Sequence, residues 1–313
     1  MTKKQFYTKV FLFVFITSCF LFSIEKIITL KMKNIQSDYV GKINKVLNGN
    51  AKEDITIWGA STAEGNIIPK IISYSTKKSV FNLGLDGTNL NQYIGLLNYY
   101  IKNTPPKQII IAADIHGALM KRNAIYRNYD WIHSLENKEI YNSLNSIDKE
   151  QIFKAKYVPF YKLLLYGKHN IKYFKKDFSS YKYPMDGFVE RNGVMTNRPK
   201  NQKTITKLSN DSNVLQQYKS IIKLAHKYKH EIYIVVTPCY VEGLKTCSNY
   251  QNIVQLIQNL NGNNATVLDY SNHEMNQIRQ LFKDNTHLNK LGAIRFSSIL
   301  ANDLLNLELN KKN

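Results

Sequence analysis

The run Asp54-Ile55-Thr56-Ile57-Trp58-Gly59-Ala60-Ser61-Thr62 (DITIWGAST, residues 54–62) decides the fold. Its first part reads as a short apolar strand that stops on a glycine. Its last part opens a helix with a hydroxyl residue. The rest of the chain repeats this strand–turn–helix step. Residues 67–74 carry helical spacing, and 79–85 (SVFNLGL) read as a second strand. Residues 90–101 form an amphipathic helix, and 108–113 (QIIIAA) a third strand, wholly apolar and so covered on both faces. A helix over 212–228, a strand over 232–237 (IYIVVT), a helix over 252–260, a strand over 265–269 (ATVLD) and a closing helix over 289–305 complete the series. The expectation is an α/β protein with a five-stranded parallel sheet.

Residues 115–210 break the alternation. They are rich in Tyr, Lys and Asn and include YVPFYKLLLYG (157–167) and KYPMDGFVERNGV (182–194). They read as one long insertion after strand three, at the carboxyl end of the sheet where open α/β proteins bind ligands. A tyrosine-rich lid packed on the sheet is the plain reading; a surface that stacks sugars or follows an anionic polymer is the sharper one.

Residues 10–24 (VFLFVFITSCFLFSI) carry no charge. Fifteen residues fall short of the ~20 that cross a bilayer. Phe6 and Tyr7 on one side and Ile27, Ile28 and Leu30 on the other extend the run. Lys9 and Lys26 can reach the interfaces. Residues 1–5 are then a short tail, 6–30 a signal-anchor transmembrane helix, 31–52 a polar juxtamembrane stalk, and 53–313 the folded domain. Three alternatives stand beside this. A cleaved signal peptide lacks a small-x-small site after the run. A lipoprotein signal at Ile16-Thr17-Ser18-Cys19 is opposed by the apolar Phe20-Leu21-Phe22. A buried core helix is opposed by apolarity all round and by the terminal position. Lysines flank both ends, so charge says little about orientation.

The chain of 313 residues has 43 Lys+Arg against 23 Asp+Glu, a net charge of +20. Hydrophobic residues make up 43% and aromatics 12%, which excludes a disordered chain. The lysines are spread along the sequence, which reads first as a solvated surface and second as attraction to an anionic envelope polymer or lipid surface. The apolar N-terminus argues against a nucleic-acid partner. Cys239 and Cys247 lie eight apart, either as free thiols or as a disulfide in an oxidising compartment. No CxxC, Cys/His cluster or glycine-rich phosphate loop appears, so no metal and no cofactor are expected. His226 and His230 read as an exposed helix face.

Two segments carry chemistry. Gly59 allows a tight turn that projects Ser61 at the sheet's carboxyl edge. Ser61-x-x-Glu64 is also a capping-box signature, and this segment alone favours capping. Asp284-Asn285-Thr286-His287-Leu288-Asn289 precedes the last helix. Asp and His three apart in a turn can set the carboxylate against Nδ1 and leave Nε2 free to take a proton. In isolation it also reads as a solvated surface loop.

Taken together these segments resemble the SGNH (GDSL-like) hydrolase superfamily, in particular the membrane-anchored envelope branch that contains the D-alanine-transfer proteins. Gly59-Ala60-Ser61 is similar to the first block, Asn82-Leu83-Gly84 to the second, and Asp284 to Leu288 to the last. Thr237-Pro238 after the fourth strand is similar too. The resemblance spans roughly residues 54–114 and 211–308. It implies a flavodoxin-like three-layer α/β/α domain outside the cytoplasm. It implies Ser61 as nucleophile, His287 as general base and Asp284 as the orienting acid, with the N–H groups of Ser61 and Gly84 as oxyanion hole. It also implies an esterase or O-acyltransferase acting on an acylated envelope polysaccharide or polymer, or a non-catalytic glycan-binding or assembly factor on the same fold. The family's Gly-x-Asn-Asp after strand three is replaced by Ala112-Ala113-Asp114-Ile115-His116-Gly117, which lacks the Asn donor. Asn89 and His116 are the candidate substitutes, with a core or surface role the plainer reading of His116.

Overall fold

A computed structural model describes residues 2–167, 184–195, 205–262 and 264–311. Parts of the expected insertion (168–183 and 196–204) and Met1 of the tail lie outside the described residues. The five expected strands are β1 (Ile55–Gly59), β2 (Val80–Asn82), β3 (Gln108–Ala113), β4 (Glu231–Val236) and β5 (Thr266–Asp269). All pair in parallel, in the order β2-β1-β3-β4-β5. The helices are α1 (Lys3–Asn34), α2 (Asp38–Leu47), α3 (Ser61–Asn66), α4 (Pro69–Thr76), α5 (Leu90–Asn103), α6 (Lys138–Asn145), α7 (Lys149–Tyr157), α8 (Tyr161–Tyr166), α9 (Ser212–Lys227), α10 (Val241–Lys245), α11 (Tyr250–Gln258) and α12 (Lys290–Asn310).

The period-two alternation of the strands splits the core in two. Ile57, Ile110 and Tyr233 share one register row and pack with Ile55 and Val235 against α3, α4 and α12. Trp58, Ile109, Ile111, Ile234 and Val236 face the other way, against α2, α5, α9 and α11. Each of these side chains is wholly or almost wholly buried, worth about 1.5–3 kcal/mol apiece. Both faces of the sheet are covered, which is why QIIIAA carries no polar alternation. The result is the flavodoxin-like three-layer arrangement. Its strand order reverses between β1 and β3, so the carboxyl ends of those strands flank a ready crevice.

α1 is one continuous helix. Its most apolar 18 residues average a hydropathy of 2.0 and none of them is buried. Thirty-two residues span about 48 Å, long enough to cross a membrane. The exposure of Phe11, Phe13 and Phe15 removes the core-helix alternative.

The expected stalk over 31–52 is corrected by the structure. α2 lies inside the domain, with Tyr39, Val40, Ile43 and Val46 buried in the core. Their i, i+3/i+4 spacing makes an apolar stripe within a mostly polar segment. The elbow between α1 and α2 is clamped. Asn44 Nδ2 donates to the carbonyls of Met32 (2.7 Å) and Ile35 (2.8 Å). That leaves Asn44 Oδ1 as an acceptor, so His133 Nε2 donates to it at 2.8 Å. His133 is buried.

The described part of the insertion has two roles. α6 packs along α5 and α7 along α6, and together they widen one helical layer. Residues 184–195 instead cross to the opposite side. Gly187 approaches the Asn82 carbonyl, and the N–H groups of Val189 and Met195 donate to the carbonyls of Glu64 (3.0 Å) and Phe282 (2.8 Å).

Candidate active site

Two features of the chain place Ser61. Gly59 ends β1 at φ +145, where a Cβ would fall 2.8 Å from both the Ala112 carbonyl and Ala63 Cβ. Only glycine can make that turn. α3 then starts at Ser61, with Ala60 in the N-cap position. The capping alternative is thereby settled: Ser61 makes no cap bond, and Glu64 turns to Lys42 Nζ at 2.9 Å. Ser61 is the first residue of the helix, so its N–H stands outside the helical ladder.

His287 reaches Ser61 from a loop more than two hundred residues away. Nε2 lies 2.8 Å from Ser61 Oγ. Nδ1 lies 2.9 and 2.8 Å from the two carboxylate oxygens of Asp284. Asp284 Oδ1 also accepts the N–H groups of Thr286 (3.0 Å) and His287 (2.9 Å). Partial burial pushes the Asp284 carboxyl up. The hydrogen bonds from the His287 ring and these N–H groups outweigh it, and hold the carboxyl well below its usual range. An ionised Asp284 keeps the proton on Nδ1 and leaves Nε2 to accept the Ser61 hydroxyl proton. This is the hydrogen-bonded order of a serine hydrolase triad.

Several residues that sequence reasoning missed fix this loop. Asn66, the fully buried last residue of α3, holds both sides of His287: Nδ2 donates to Thr286 O (3.2 Å), and Oδ1 accepts Leu288 N–H (3.0 Å). The Tyr240 N–H (2.8 Å) and the Cys239 thiol (3.0 Å) donate to Asn285 O. No local pattern announces such contacts; an Asn at the end of a short helix looks like a terminator. Asn66→Ala is expected to slow reaction with a serine-directed probe ten- to hundredfold by loosening the imidazole, read as the rate of probe labelling.

The expected oxyanion hole departs from this geometry in three places. The Gly84 N–H donates to Asn82 Oδ1 at 2.9 Å, and the Gly84 carbonyl accepts Lys42 Nζ at 2.7 Å. Asn82 in turn donates to the carbonyls of Ala63 (2.6 Å) and Ile67 (2.9 Å). This stitches the loop after β2 to α3 and turns the Gly84 donor inward. A Cβ at Gly84 would fall 2.5 Å from Glu64 N, so the close approach itself needs glycine. Asn89 commits its amide to Met120 O at 2.5 Å. His116 lies between two sulfurs, Nδ1 at 4.0 Å from Cys239 Sγ and Nε2 at 3.6 Å from Cys247 Sγ. The Ser61 N–H remains the expected donor with no such commitment.

The same imidazole corrects the disulfide alternative. Cys239 and Cys247 are free buried thiols with His116 between them. Burial pushes the Cys239 thiol up, away from the reactive thiolate. Among the described residues no three His, Cys, Asp or Glu side chains gather as a metal site. His230 is buried rather than on an exposed face, with its two ring nitrogens near Lys107 N and Ile101 O.

Arg191 also escaped the sequence reading. It comes from the 184–195 crossing segment and sits against Gly65, one helical turn beyond Ser61, 3.6 Å from Asp86. Its carbonyl accepts the Lys290 N–H at 2.9 Å. On the other side of Ala60 a narrow slot opens at the ends of β1 and β3, lined by Asn89, Tyr93, Asp114 and Tyr218. No protein-family model matches the chain, and no curated protein matches it.

Proposed function

We propose that this chain is a membrane-anchored, SGNH-like serine esterase or O-acyltransferase that works outside the cytoplasm on an acylated envelope glycan or polymer. The observation that carries the reading is the unbroken chain Ser61 Oγ–His287 Nε2 (2.8 Å) and His287 Nδ1–Asp284 (2.8 Å). Ser61 Oγ attacks the acyl carbonyl carbon while its proton passes to Nε2. The ester C–O bond to the donor breaks, and the donor oxygen leaves with that proton. Water or an acceptor hydroxyl then gives its proton to Nε2 and attacks the acyl-serine carbonyl; the acyl–Oγ bond breaks, and Nε2 returns the proton to Ser61 Oγ. Asp284 steadies the imidazolium in both steps. Arg191, one helical turn beyond Ser61, suits an anionic polymer. The exposed apolar α1 supports the anchor.

The 313-residue chain is expected to label with a serine-reactive fluorophosphonate in detergent micelles, and Ser61→Ala to lose the label. Absence of labelling in the wild type sinks the catalytic reading.

One observation favours a second reading, a glycan-binding or assembly factor without turnover. The donors of Gly84, Asn89 and His116 are all turned to other partners, and each lost oxyanion donor costs about 3–4 kcal/mol. That reading expects no label, and polymer association unchanged in Ser61→Ala.

A further inference from the structure

α7 and α8 meet at a corner that lies beside α1. The Tyr166 hydroxyl is 3.3 Å from Thr29 Oγ1, and Lys162 is within electrostatic reach of Glu25, Lys26 and Lys33. The corner therefore abuts the last turns of the apolar helix. Its outer side is unusually apolar for a surface. Leu164 is 75% exposed, Tyr157 57% and Phe153 52%, and Val158 is exposed between them. The Phe153 and Tyr157 ring centroids lie 5.0 Å apart, with the rings tilted at 47°. Phe160 turns the chain at φ +65, a conformation that a bulky residue rarely takes, and this presents 157–159 at the tip. Lysines border the patch: Lys149 is exposed, and Lys156 Nζ lies 4.1 Å from the Tyr141 ring centroid.

Large apolar side chains ringed by lysine and tyrosine suit the boundary between acyl chains and headgroups. A patch of this composition that continues from a bilayer-length helix fits a lipid surface better than a protein partner, which would have to work around α1. We propose that the α7–α8 corner seats in the same leaflet that α1 crosses. Phe153, Tyr157, Val158 and Leu164 enter the interface, and Lys149 and Lys156 lie over anionic headgroups. The domain is thereby held to the membrane at two points. This rests on α1 being a membrane span.

Trp58 and Trp131 are fully buried, so an added tryptophan reports its own surroundings. The full chain is reconstituted in vesicles of phosphatidylcholine and phosphatidylglycerol with brominated acyl chains. Phe153→Trp and Leu164→Trp are made separately, with Phe13→Trp as a reporter of the span. Tyr74→Trp, in exposed α4 on the far side of the sheet, is the solvent control. Quenching of the Phe153 and Leu164 variants at least ~2-fold above the control is expected, as for an interfacial contact. Quenching of Phe13→Trp alone overturns the corner contact and leaves the span standing. No quenching of Phe13→Trp overturns the span and the corner contact with it. A blue shift that follows protein concentration instead of bromination assigns the patch to a second copy of the chain and overturns the proposal.

Discussion

Ser61→Ala is expected to lower turnover of a simple aryl ester by about 10⁴-fold or more, with the fold intact. The substitution removes one hydroxyl, and its hydrogen bond is to His287. Nothing in the core loses a partner, so the loss falls on chemistry and leaves stability nearly unchanged. His287→Ala is expected to cost as much, because a hydroxyl without its base is a poor nucleophile at neutral pH. The double variant is expected to be no worse than either single one, since members of a triad act as a unit. Measured kcat/KM for the three variants decides this. Independent, multiplying losses would mean that Ser61 and His287 do not share a step. Wild-type turnover in Ser61→Ala would remove Ser61 from the reaction.

His133 carries the second large effect, on stability. Burial, with Lys33 and Lys162 adding to it, pushes its pKa down to about 3 from an ordinary 6.5. Between those values the unfolded chain binds a proton that the folded chain refuses. Stability therefore rises with pH across this window and is lost as pH falls from about 6.5 toward 3. The loss between pH 6.5 and 4.5 is about 2 kcal/mol, the slope reaching ~1.4 kcal/mol per unit only below the unfolded pKa. His133→Gln keeps a donor for Asn44 and cannot titrate. Urea midpoints of both proteins at pH 7 and 4.5, in the same detergent, are expected to diverge, with the variant falling less. Parallel decline of the two would place the acid-sensitive group elsewhere.

The fold was legible where burial leaves a periodic trace. QIIIAA has three consecutive isoleucines because Ile110 faces α4 and α12 while Ile109 and Ile111 face α5 and α9. A chain covered on both sides has nowhere to put a polar residue. α2 left a fainter trace. Its sequence, DYVGKINKVL, is half polar, yet Lys42 and Asn44 are as buried as Ile43. Lys42 survives there because Glu64 and the Gly84 carbonyl accept its ammonium protons in place of water. A buried cation satisfied by residues 22 and 42 positions away cannot be told locally from a solvated one.

The candidate site divides in the same way. Ser61, Asp284 and His287 were legible because block order along an α/β pattern is a property of sequence. The oxyanion donors were not. Whether a given N–H faces solvent or a neighbour depends on one rotamer of Asn82 and on the packing around Asn89 and His116. Likewise the eight-residue spacing of Cys239 and Cys247 says nothing of an imidazole arriving from residue 116.

The Asn44 clamp on Met32 and Ile35 has a consequence for reach. An enzyme on a long leash sweeps a broad shell of solution. With α1 in a bilayer, this domain stands on a rigid bracket, and Ser61 is held at a single altitude. On the function proposed above, the acyl groups within its reach are those at the height that the bracket sets. Extra residues spliced between Asn34 and Asp38 would part the two sides of the clamp and turn the bracket into a leash.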